Sequence, residues 1–319
     1  MKRRIFISTV LASMLLSACG RQKEKAASSP IAGKPEKKVK IAYLPITHAM
    51  PLFIEKELGD KIIPEIDFEL VKFGSWPELL DALNTGHVDG ASVLIELAMK
   101  AKEQGIGLKA VALGHTDGNV VIVSKEINSA ADVKGKTVAI PHRQSSHFLL
   151  VAQMLKDAGL TINDVNLVEL PPPEMPSALA GGQIDSYCVA EPFGAKSVAI
   201  DTGKVLFESG ELWDHSLCCA LVLTDQFISE KNEVAKEFVA GYKEAGKYIS
   251  ANQDKIYDLV KIYLNNLEKP IFDISVKWIS YDDLTITESY YADLLDRVIE
   301  FGLSKKPPTY HEFIDASLY

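Results

Sequence analysis

The sequence predicts an α/β protein made of two similar lobes that are joined by two chain crossings. After about residue 39, short β-branched apolar runs alternate with longer amphipathic stretches, which is typical of βα units around mostly parallel sheets. The pattern Ala-Leu-x-x-Gly-x-x-Asp occurs twice, ending at Asp89 and at Asp185, and each copy predicts a helix that ends at glycine before a buried strand. A late apolar run, 217–224, predicts a return strand into the first lobe, so that the second lobe interrupts the first and the crossings form a hinge.

Each element follows from the local pattern. In the first lobe we expect strands over 39–44, 66–73, 91–93, 108–113 and 120–123, with helices over 50–57 and 77–84. In the second lobe we expect strands over 137–140, 165–169 and 184–190, with helices over 146–158 and 175–180. After the return strand, the periodicity predicts helices over 232–251, 254–264 and 287–301. The predicted domains are 39–123 plus 220–319 for lobe 1, and 124–219 for lobe 2.

The N-terminus predicts export and a lipid anchor. Three basic residues precede a short apolar run, 5–16, and Ser17 and Ala18 lie directly before Cys19. The run is too short to span a bilayer as a permanent helix. Residues 1–19 resemble a bacterial lipoprotein signal, in which Cys19 is acylated; an ordinary secretory signal is the alternative. Residues 20–38 are rich in small and polar residues and predict a flexible tether.

Charge and cysteine content exclude several classes of function. The formal net charge of −9 and the pI of about 5.4 argue against a nucleic-acid partner. Once Cys19 carries lipid, the remaining cysteines are Cys188, Cys218 and Cys219, and their spacing matches neither a zinc site nor a disulfide framework. We expect buried free thiols, with a bridge from Cys188 to one of the adjacent pair as the alternative. The sequence predicts no metal ligands and no cofactor.

One stretch carries a family resemblance. Residues 170–179 read Leu-Pro-Pro-Pro-Glu-Met-Pro-Ser-Ala-Leu, and the chain continues through Gly-Gln-Ile-Asp to Tyr-Cys-Val-Ala-Glu-Pro-Phe at 187–193. With supporting matches at 43–49, 74–76 and 211–213, the chain resembles the periplasmic binding proteins of ABC importers for nitrate, bicarbonate, alkanesulfonates, taurine and thiamine-pyrimidine precursors. The resemblance implies a type II fold whose lobes close on a small solute. It also implies presentation of that solute to a permease and its ATPase, with the protein a monomer on the extracytoplasmic face of the cell membrane.

Candidate ligand-binding residues follow strands of the first lobe, since ligands of open α/β sheets bind at the carboxyl ends of the strands. The first-lobe candidates are Thr47, His48, Ser75, Trp76, Ser92 and His115. Alternative roles are a helix cap for Thr47 and Ser75, and a surface loop for His48. Trp76 is either a stacking wall of the pocket, as in nitrate-type relatives, or a core residue.

The second lobe supplies further candidates. Gln144, Ser145 and Ser146 open the helix over 146–158, where hydroxyl and backbone donors favour an oxyanion, and one serine is expected to cap the helix. Glu191 ends the last strand of this lobe, and Tyr187 is expected to share its pocket face.

Glu191 limits the choice of solute. A carboxylate in the cleft repels a bare anion unless a cation, a proton or an amine intervenes, which favours bicarbonate, an aminosulfonate or an aminopyrimidine over nitrate. An interlobe salt bridge is the alternative role for Glu191.

Two rival functions are a pyrimidine-synthase-like enzyme, whose cysteine-rich stretch the Cys218–Cys219 pair resembles, and an extracellular solute receptor or adhesin. We expect a binding protein with no catalytic residues, because no nucleophile elbow or phosphate loop is present.

Overall fold

The computed structural model describes residues 37–319, so the predicted signal, Cys19 and most of the predicted tether lie outside the described residues. The strands, in chain order, are β1 (Lys38–Tyr43), β2 (Asp67–Lys72), β3 (Gly90–Leu94), β4 (Leu108–Leu113), β5 (Thr116–Asp117), β6 (Asn119–Val123), β7 (Thr137–Ile140), β8 (Asn166–Glu169), β9 (Ser186–Ala190), β10 (Lys204–Glu208), β11 (Cys219–Thr224) and β12 (Ile279–Ser280). The α-helices are α1 (Met50–Glu57), α2 (Gly59–Ile62), α3 (Trp76–Asn84), α4 (Ile95–Glu103), α5 (Ser146–Asp157), α6 (Met175–Ala180), α7 (Phe193–Ala199), α8 (Ser209–Leu212), α9 (Asp225–Glu230), α10 (Asn232–Ala251), α11 (Ile256–Val260), α12 (Lys269–Ser275), α13 (Glu288–Glu300) and α14 (Tyr310–Phe313).

The two large sheets have the same architecture. The first has the order β2-β1-β3-β11-β4 and the second, read from its far edge, β8-β7-β9-β6-β10. In each sheet three strands are parallel, and the fourth is antiparallel to the third. The two-lobed α/β class predicted from the sequence is therefore confirmed.

The repeated sequence pattern builds the same joint in both lobes. A carboxylate oxygen of Asp89 accepts a hydrogen bond from the backbone amide of Lys40 in β1 at 2.8 Å. The equivalent Asp185 accepts from the backbone amide of Thr137 in β7, also at 2.8 Å. Each aspartate thus ties the segment after a helix to the start of the central parallel strand, which explains why the pattern recurs.

The predicted lobe boundary at residue 123 lies too late in the chain. Strand β6 was expected in lobe 1, but it pairs with β9 and β10 and so belongs to the second sheet. The reason is non-local: β6 is a short apolar run that either sheet could accept, and its lobe is determined only by the strands with which it pairs.

The helices α4 and α7 and the strand β10 were not predicted, and α11 is shorter than the pattern over 254–264 suggested.

The two chain crossings lie side by side. The first runs from β4 to β6 and the second from β10 to β11. A β-bridge joins Thr116 to Leu217, and the backbone amide of Asp117 donates to the carbonyl oxygen of Ser216 at 3.0 Å. Paired crossings of this kind are suited to act as one hinge. Both crossings enter the first sheet near the carboxyl end of β4.

The largest hydrophobic cluster includes buried residues of both sheets, and a second cluster covers one face of the second sheet, including Val120, Ile122 and Tyr187. Within residues 37–319, no helix has both the length and the hydrophobicity that crossing a membrane requires.

Candidate ligand site between the lobes

Four metal-ligating side chains meet at the edge of the first sheet that faces the crossings. His48 lies in the short turn after β1, and His115 lies at the start of the first crossing, just after β4. Cys218 and Cys219 lie where the second crossing enters β11. All four are fully buried, and one ligand atom from each lies within 4.8 Å of those of the others. We call these four residues the His-Cys cluster.

The internal distances of the His-Cys cluster are short. The two Sγ atoms of Cys218 and Cys219 are 3.8 Å apart, and Cys219 Sγ lies 3.7 Å from His48 Nδ1. The imidazole rings of His48 and His115 have centroids 3.7 Å apart. His48 Nε2 lies 2.9 Å from the carbonyl oxygen of Gly118. Because a carbonyl oxygen only accepts, Nε2 carries the proton, and Nδ1 is left with its lone pair directed toward Cys219.

Gly118 is the residue that allows this contact. Its backbone has a φ of 81°, and a Cβ at this position would collide with Ile279 and crowd His48. Only glycine adopts this conformation without strain, so the first crossing can bring a backbone carbonyl against the imidazole.

The second lobe closes over the cluster with the N-terminus of α5. Ser145 caps this helix, since its hydroxyl accepts from the backbone amide of Phe148 at 3.3 Å. Ser146 and His147 are fully buried. The His147 imidazole is near enough to His48, His115 and Cys218 to interact electrostatically with all three. Side chains from both lobes therefore surround one buried site.

Several buried polar side chains at this boundary have no hydrogen-bond partner within the part of the chain that the structure describes. Those from lobe 1 are Ser92, Glu96 and His115, and those from lobe 2 are Asn119, Ser146 and His147. A buried polar group without a partner costs about 1–3 kcal/mol, and most such groups in proteins are paired. Their concentration between the lobes indicates a ligand that pairs with them.

Two imidazoles of the site, those of His115 and His147, are neutral at neutral pH. Burial, with a smaller contribution from the adjacent His48, lowers the pKa of His115 to about 4. Burial likewise lowers the pKa of His147 to about 4. Neutral imidazoles offer lone pairs to a metal or a donor, but they carry no charge that would hold an anion.

Burial also changes the pKa values of the acidic side chains of the site, because it disfavours their charged forms. Burial, then the nearby Cys218 thiol, raises the pKa of Glu96 well above its usual value. Burial also raises the pKa of Cys219. For Cys218 the penalty of burial is outweighed by the neighbouring Cys219 and the imidazoles, so its pKa is lowered and it is the more acidic thiol of the pair. Among the buried residues of 37–319 there is no lysine or arginine that could balance an anion.

Thr47 joins the lobes next to the cluster. Its backbone amide and its hydroxyl both donate to the carbonyl oxygen of Glu191, each at 3.0 Å. The hydroxyl also lies 3.3 Å from Ser275 Oγ, and the Tyr281 hydroxyl donates to the Thr47 carbonyl oxygen at 2.8 Å. Thr47 is thus a contact between lobes rather than the helix cap considered from the sequence.

The Glu191 carboxylate is held within its own lobe. Its two oxygens lie 3.2 and 3.1 Å from the backbone amide of Ala195 at the start of α7, and the lack of a Cβ at Gly194 leaves room for this approach. Burial raises the pKa of Glu191 to about 8, against the smaller opposing effect of these amides and of Ser275. No ion pair joins Glu191 to another residue of 37–319, so the structure does not support the interlobe salt bridge.

A separate pocket of about 290 Å³ lies at the boundary between the lobes. It is lined by Ser75 and Trp76 of lobe 1 and by the 141–142 and 169–172 segments of lobe 2. Ser75 occupies the N-cap position of α3 without a side-chain hydrogen bond, and Trp76 is buried with its indole nitrogen unpartnered within the described residues. These two residues line the lobe boundary but do not reach the His-Cys cluster.

Two predicted site residues have structural partners instead. The Tyr187 hydroxyl lies 2.7 Å from Ser197 Oγ and 2.9 Å from the carbonyl oxygen of Phe193, so it packs on α7 rather than facing the cluster. Gln144 donates from Nε2 to the carbonyl oxygen of Leu303 at 3.3 Å, which links lobe 2 to the C-terminal region.

Sequence reasoning missed Glu96, His147 and the role of the Cys218–Cys219 pair. The expectation of no metal ligands considered only spacing along the chain, whereas the cluster combines three distant segments. The signal that could have found it was positional: the cysteine pair begins the return strand, and both histidines follow first-lobe strands. All three cysteines of the described residues are free buried thiols.

Two α/β lobes, paired crossings and a buried polar site between the lobes define the type II class of periplasmic binding proteins. The chain belongs to the NMT1-like family, whose model matches residues 32–264.

Known proteins support this assignment. A solved ligand-binding component of an ABC-type import system from Staphylococcus aureus, determined with zinc bound, is 38% identical, covers 89% of this chain and 98% of its own, and superimposes with a TM-score of 0.83. The nitrate/nitrite binding protein NrtA of Nostoc is 27% identical over 68% of this chain and 55% of its own length. The taurine-binding periplasmic protein of Escherichia coli is 30% identical over 57% of this chain and 58% of its own. The match spans just over half the length of these two curated relatives.

Proposed function

We propose that this chain is the solute-binding component of an ABC importer, held on the extracytoplasmic face of the membrane through Cys19. One observation carries the proposal: buried polar side chains from both lobes, including His115, Ser146 and His147, face a common site without partners among the described residues. A solute that pairs with them binds the closed form better than the open form and so drives closure about the crossings. The closed form is what a permease and its cytoplasmic ATPase would recognise.

The chemistry of the site restricts the solute. The buried acid Glu96 and the neutral imidazoles of His115 and His147 offer acceptors and lone pairs, with no buried cation among the described residues. This favours a ligand that brings donors or positive charge, such as an aminopyrimidine, an aminosulfonate or a metal ion, over bare nitrate. The zinc of the S. aureus relative makes a metal ion a direct candidate. None of these roles needs a catalytic residue, and we propose none.

A thermal-shift screen tests the proposal. The protein without residues 1–19, which retains the whole described body, is screened against nitrate, bicarbonate, taurine, alkanesulfonates, aminopyrimidines and divalent metals. A ligand at 100 times its Kd stabilises the folded state by about 2.7 kcal/mol, so a hit raises the midpoint of unfolding. A Ser146→Ala variant should reduce the shift for a solute, whereas Ser177→Ala, which removes an exposed hydroxyl in the first turn of α6, should not. No shift from any solute or metal would refute solute capture.

The anchor has a separate test. The Cys19→Ser variant should move the protein from the membrane fraction to the soluble extracytoplasmic fraction, because acylation requires the thiol. Wild-type protein that is already soluble would instead favour the ordinary secretory signal.

A further inference from the structure

We propose that His48, His115, Cys218 and Cys219 form a site for a single soft divalent transition-metal ion of the Zn²⁺ type. This inference deepens the proposed function and rests on it in one respect, since the ion would be part of what the interlobe site binds. Imidazole and thiolate are the ligands that such ions prefer. Each member of the cluster supplies one of them, and all four are shielded from solvent.

Two distances within the cluster match those of tetrahedral coordination. Bond lengths of about 2.3 Å to sulfur and about 2.0 Å to nitrogen place two tetrahedral sulfur ligands about 3.8 Å apart, and a sulfur and a nitrogen ligand about 3.5 Å apart. The observed separations are 3.8 Å between the two Sγ atoms and 3.7 Å between Cys219 Sγ and His48 Nδ1. The sulfurs are far beyond the bond of about 2.0 Å that a disulfide requires. The geometry is that of two free thiols spaced as metal ligands.

The surroundings orient the ligands as metal sites do. A metal-binding histidine commonly donates its other ring N–H to a carbonyl or carboxylate, which fixes the tautomer and directs the free lone pair. His48 does so through Nε2 to the Gly118 carbonyl oxygen at 2.9 Å, and Gly118 is the residue whose conformation permits this contact. His115 is buried with both ring nitrogens unpartnered within the described residues, which is costly unless a ligand pairs with one of them.

The position of the cluster suggests how ion binding could be coupled to lobe closure. All four ligands come from lobe 1 and from the crossings, and His147 is the neighbouring imidazole supplied by lobe 2. An ion at the cluster would therefore interact electrostatically with the imidazole of lobe 2 in this closed arrangement of the lobes.

The test uses Co²⁺ and Zn²⁺ with reduced protein lacking residues 1–19, under anaerobic conditions and with a non-thiol reductant. Free thiols are counted first in denaturant. We expect one Co²⁺ per chain, with the intense visible bands of tetrahedral cobalt and a thiolate-to-cobalt charge-transfer band in the near ultraviolet. Zn²⁺ should displace Co²⁺ and so remove both the visible bands and the charge-transfer band. These readouts report on the ligand atoms themselves and require no knowledge of the solute.

Variants assign the ligands. Cys219→Ser should remove most of the charge-transfer intensity and weaken Zn²⁺ binding at least tenfold, and His48→Gln should weaken it similarly. Cys188→Ser is the matched control, because Cys188 is also a buried free thiol but lies outside the cluster.

Circular dichroism of each variant without metal tests whether the variant is folded. If Cys219→Ser does not fold, Cys218→Ser replaces it. Absence of a stoichiometric charge-transfer band in wild type, or its equal loss in Cys188→Ser, would overturn the site. A solute hit in the thermal-shift screen without metal binding would refute the metal site and leave the importer role intact.

Discussion

Thr47 donates two hydrogen bonds, from its backbone amide and from its hydroxyl, to the single carbonyl oxygen of Glu191, each 3.0 Å long. Thr47 follows the first strand of lobe 1, and Glu191 follows the last parallel strand of lobe 2. The contact therefore joins equivalent ends of the two sheets. Because His48 is the next residue, one short segment carries both a contact that holds the lobes together and a member of the His-Cys cluster.

Thr47→Val should loosen the closed form. The substitution keeps the volume and the backbone donor but removes the hydroxyl donor, which contributes about 1 kcal/mol to the closed state. The dissociation constant of a ligand that contacts both lobes should rise roughly fivefold, and small-angle scattering should show a larger mean radius of gyration. Thr47→Ser retains the hydroxyl and is the control. An unchanged dissociation constant would show that this contact does not influence closure.

Tyr187→Phe separates a structural role from ligand binding. Its hydroxyl is satisfied by Ser197 and the Phe193 carbonyl oxygen, so its removal should cost about 1–2 kcal/mol of unfolding free energy, measured by urea denaturation. Ligand affinity should not change. Ser197→Ala should produce a comparable loss, and the double variant should lose less than the sum of the two, since both remove the same hydrogen bond. Reduced affinity with unchanged stability would return Tyr187 to the ligand pocket.

Local sequence signals located most elements but could not assign their partners. The helices α1 and α10 and the strand β7 begin and end where the apolar pattern predicts, because their boundaries depend on neighbouring residues alone. Strand β6 was equally apparent, yet its lobe was predicted wrongly because sheet membership depends on pairing with β9, whose residues lie far along the chain.

The same limit applies to the site. His48 and His115 were candidates because they follow strands of the first sheet. Their approach to Cys218 and Cys219 depends on β11 returning antiparallel between β3 and β4, so that its start, rather than its end, lies at the ligand edge. No local pattern states that direction. His147 lies in the first turn of α5, as predicted, but the local pattern does not distinguish an imidazole that faces the other lobe from one buried in the core.

Stability should fall as pH rises toward 8, in part because of Glu191. Its pKa is raised to about 8 in the folded protein, above the usual value of 4.5, so the folded state holds an extra proton between these values. This contribution is fully present below about pH 4.5 and is lost as pH rises through about 8. Unfolding free energies measured in urea from pH 5 to 8 should decline with a slope that includes about 1.4 kcal/mol per pH unit from this group.

Glu191→Gln should remove that part of the slope. Glutamine resembles the protonated acid and can still accept from the Ala195 amide, so the fold should be retained. Other buried acids such as Glu96 also have raised pKa values and remain in both proteins, so the difference between the two slopes isolates Glu191. Parallel slopes for the two proteins would place the titration of Glu191 below this window.

His147→Gln tests whether an ion at the cluster couples to closure. The four residues of the His-Cys cluster remain, so Zn²⁺ should still bind one per chain, but the neighbouring imidazole of lobe 2 is gone. In wild type, Zn²⁺ should lower the radius of gyration and raise the unfolding midpoint. In the variant, compaction should be lost, and Zn²⁺ affinity should fall roughly tenfold or more, the size of effect seen when groups supporting a metal site are removed. His87→Gln changes an exposed histidine of lobe 1 and should behave as wild type. Compaction by Zn²⁺ that survives in His147→Gln would show that the ion closes the lobes without this residue, through contacts such as that between Thr47 and Glu191.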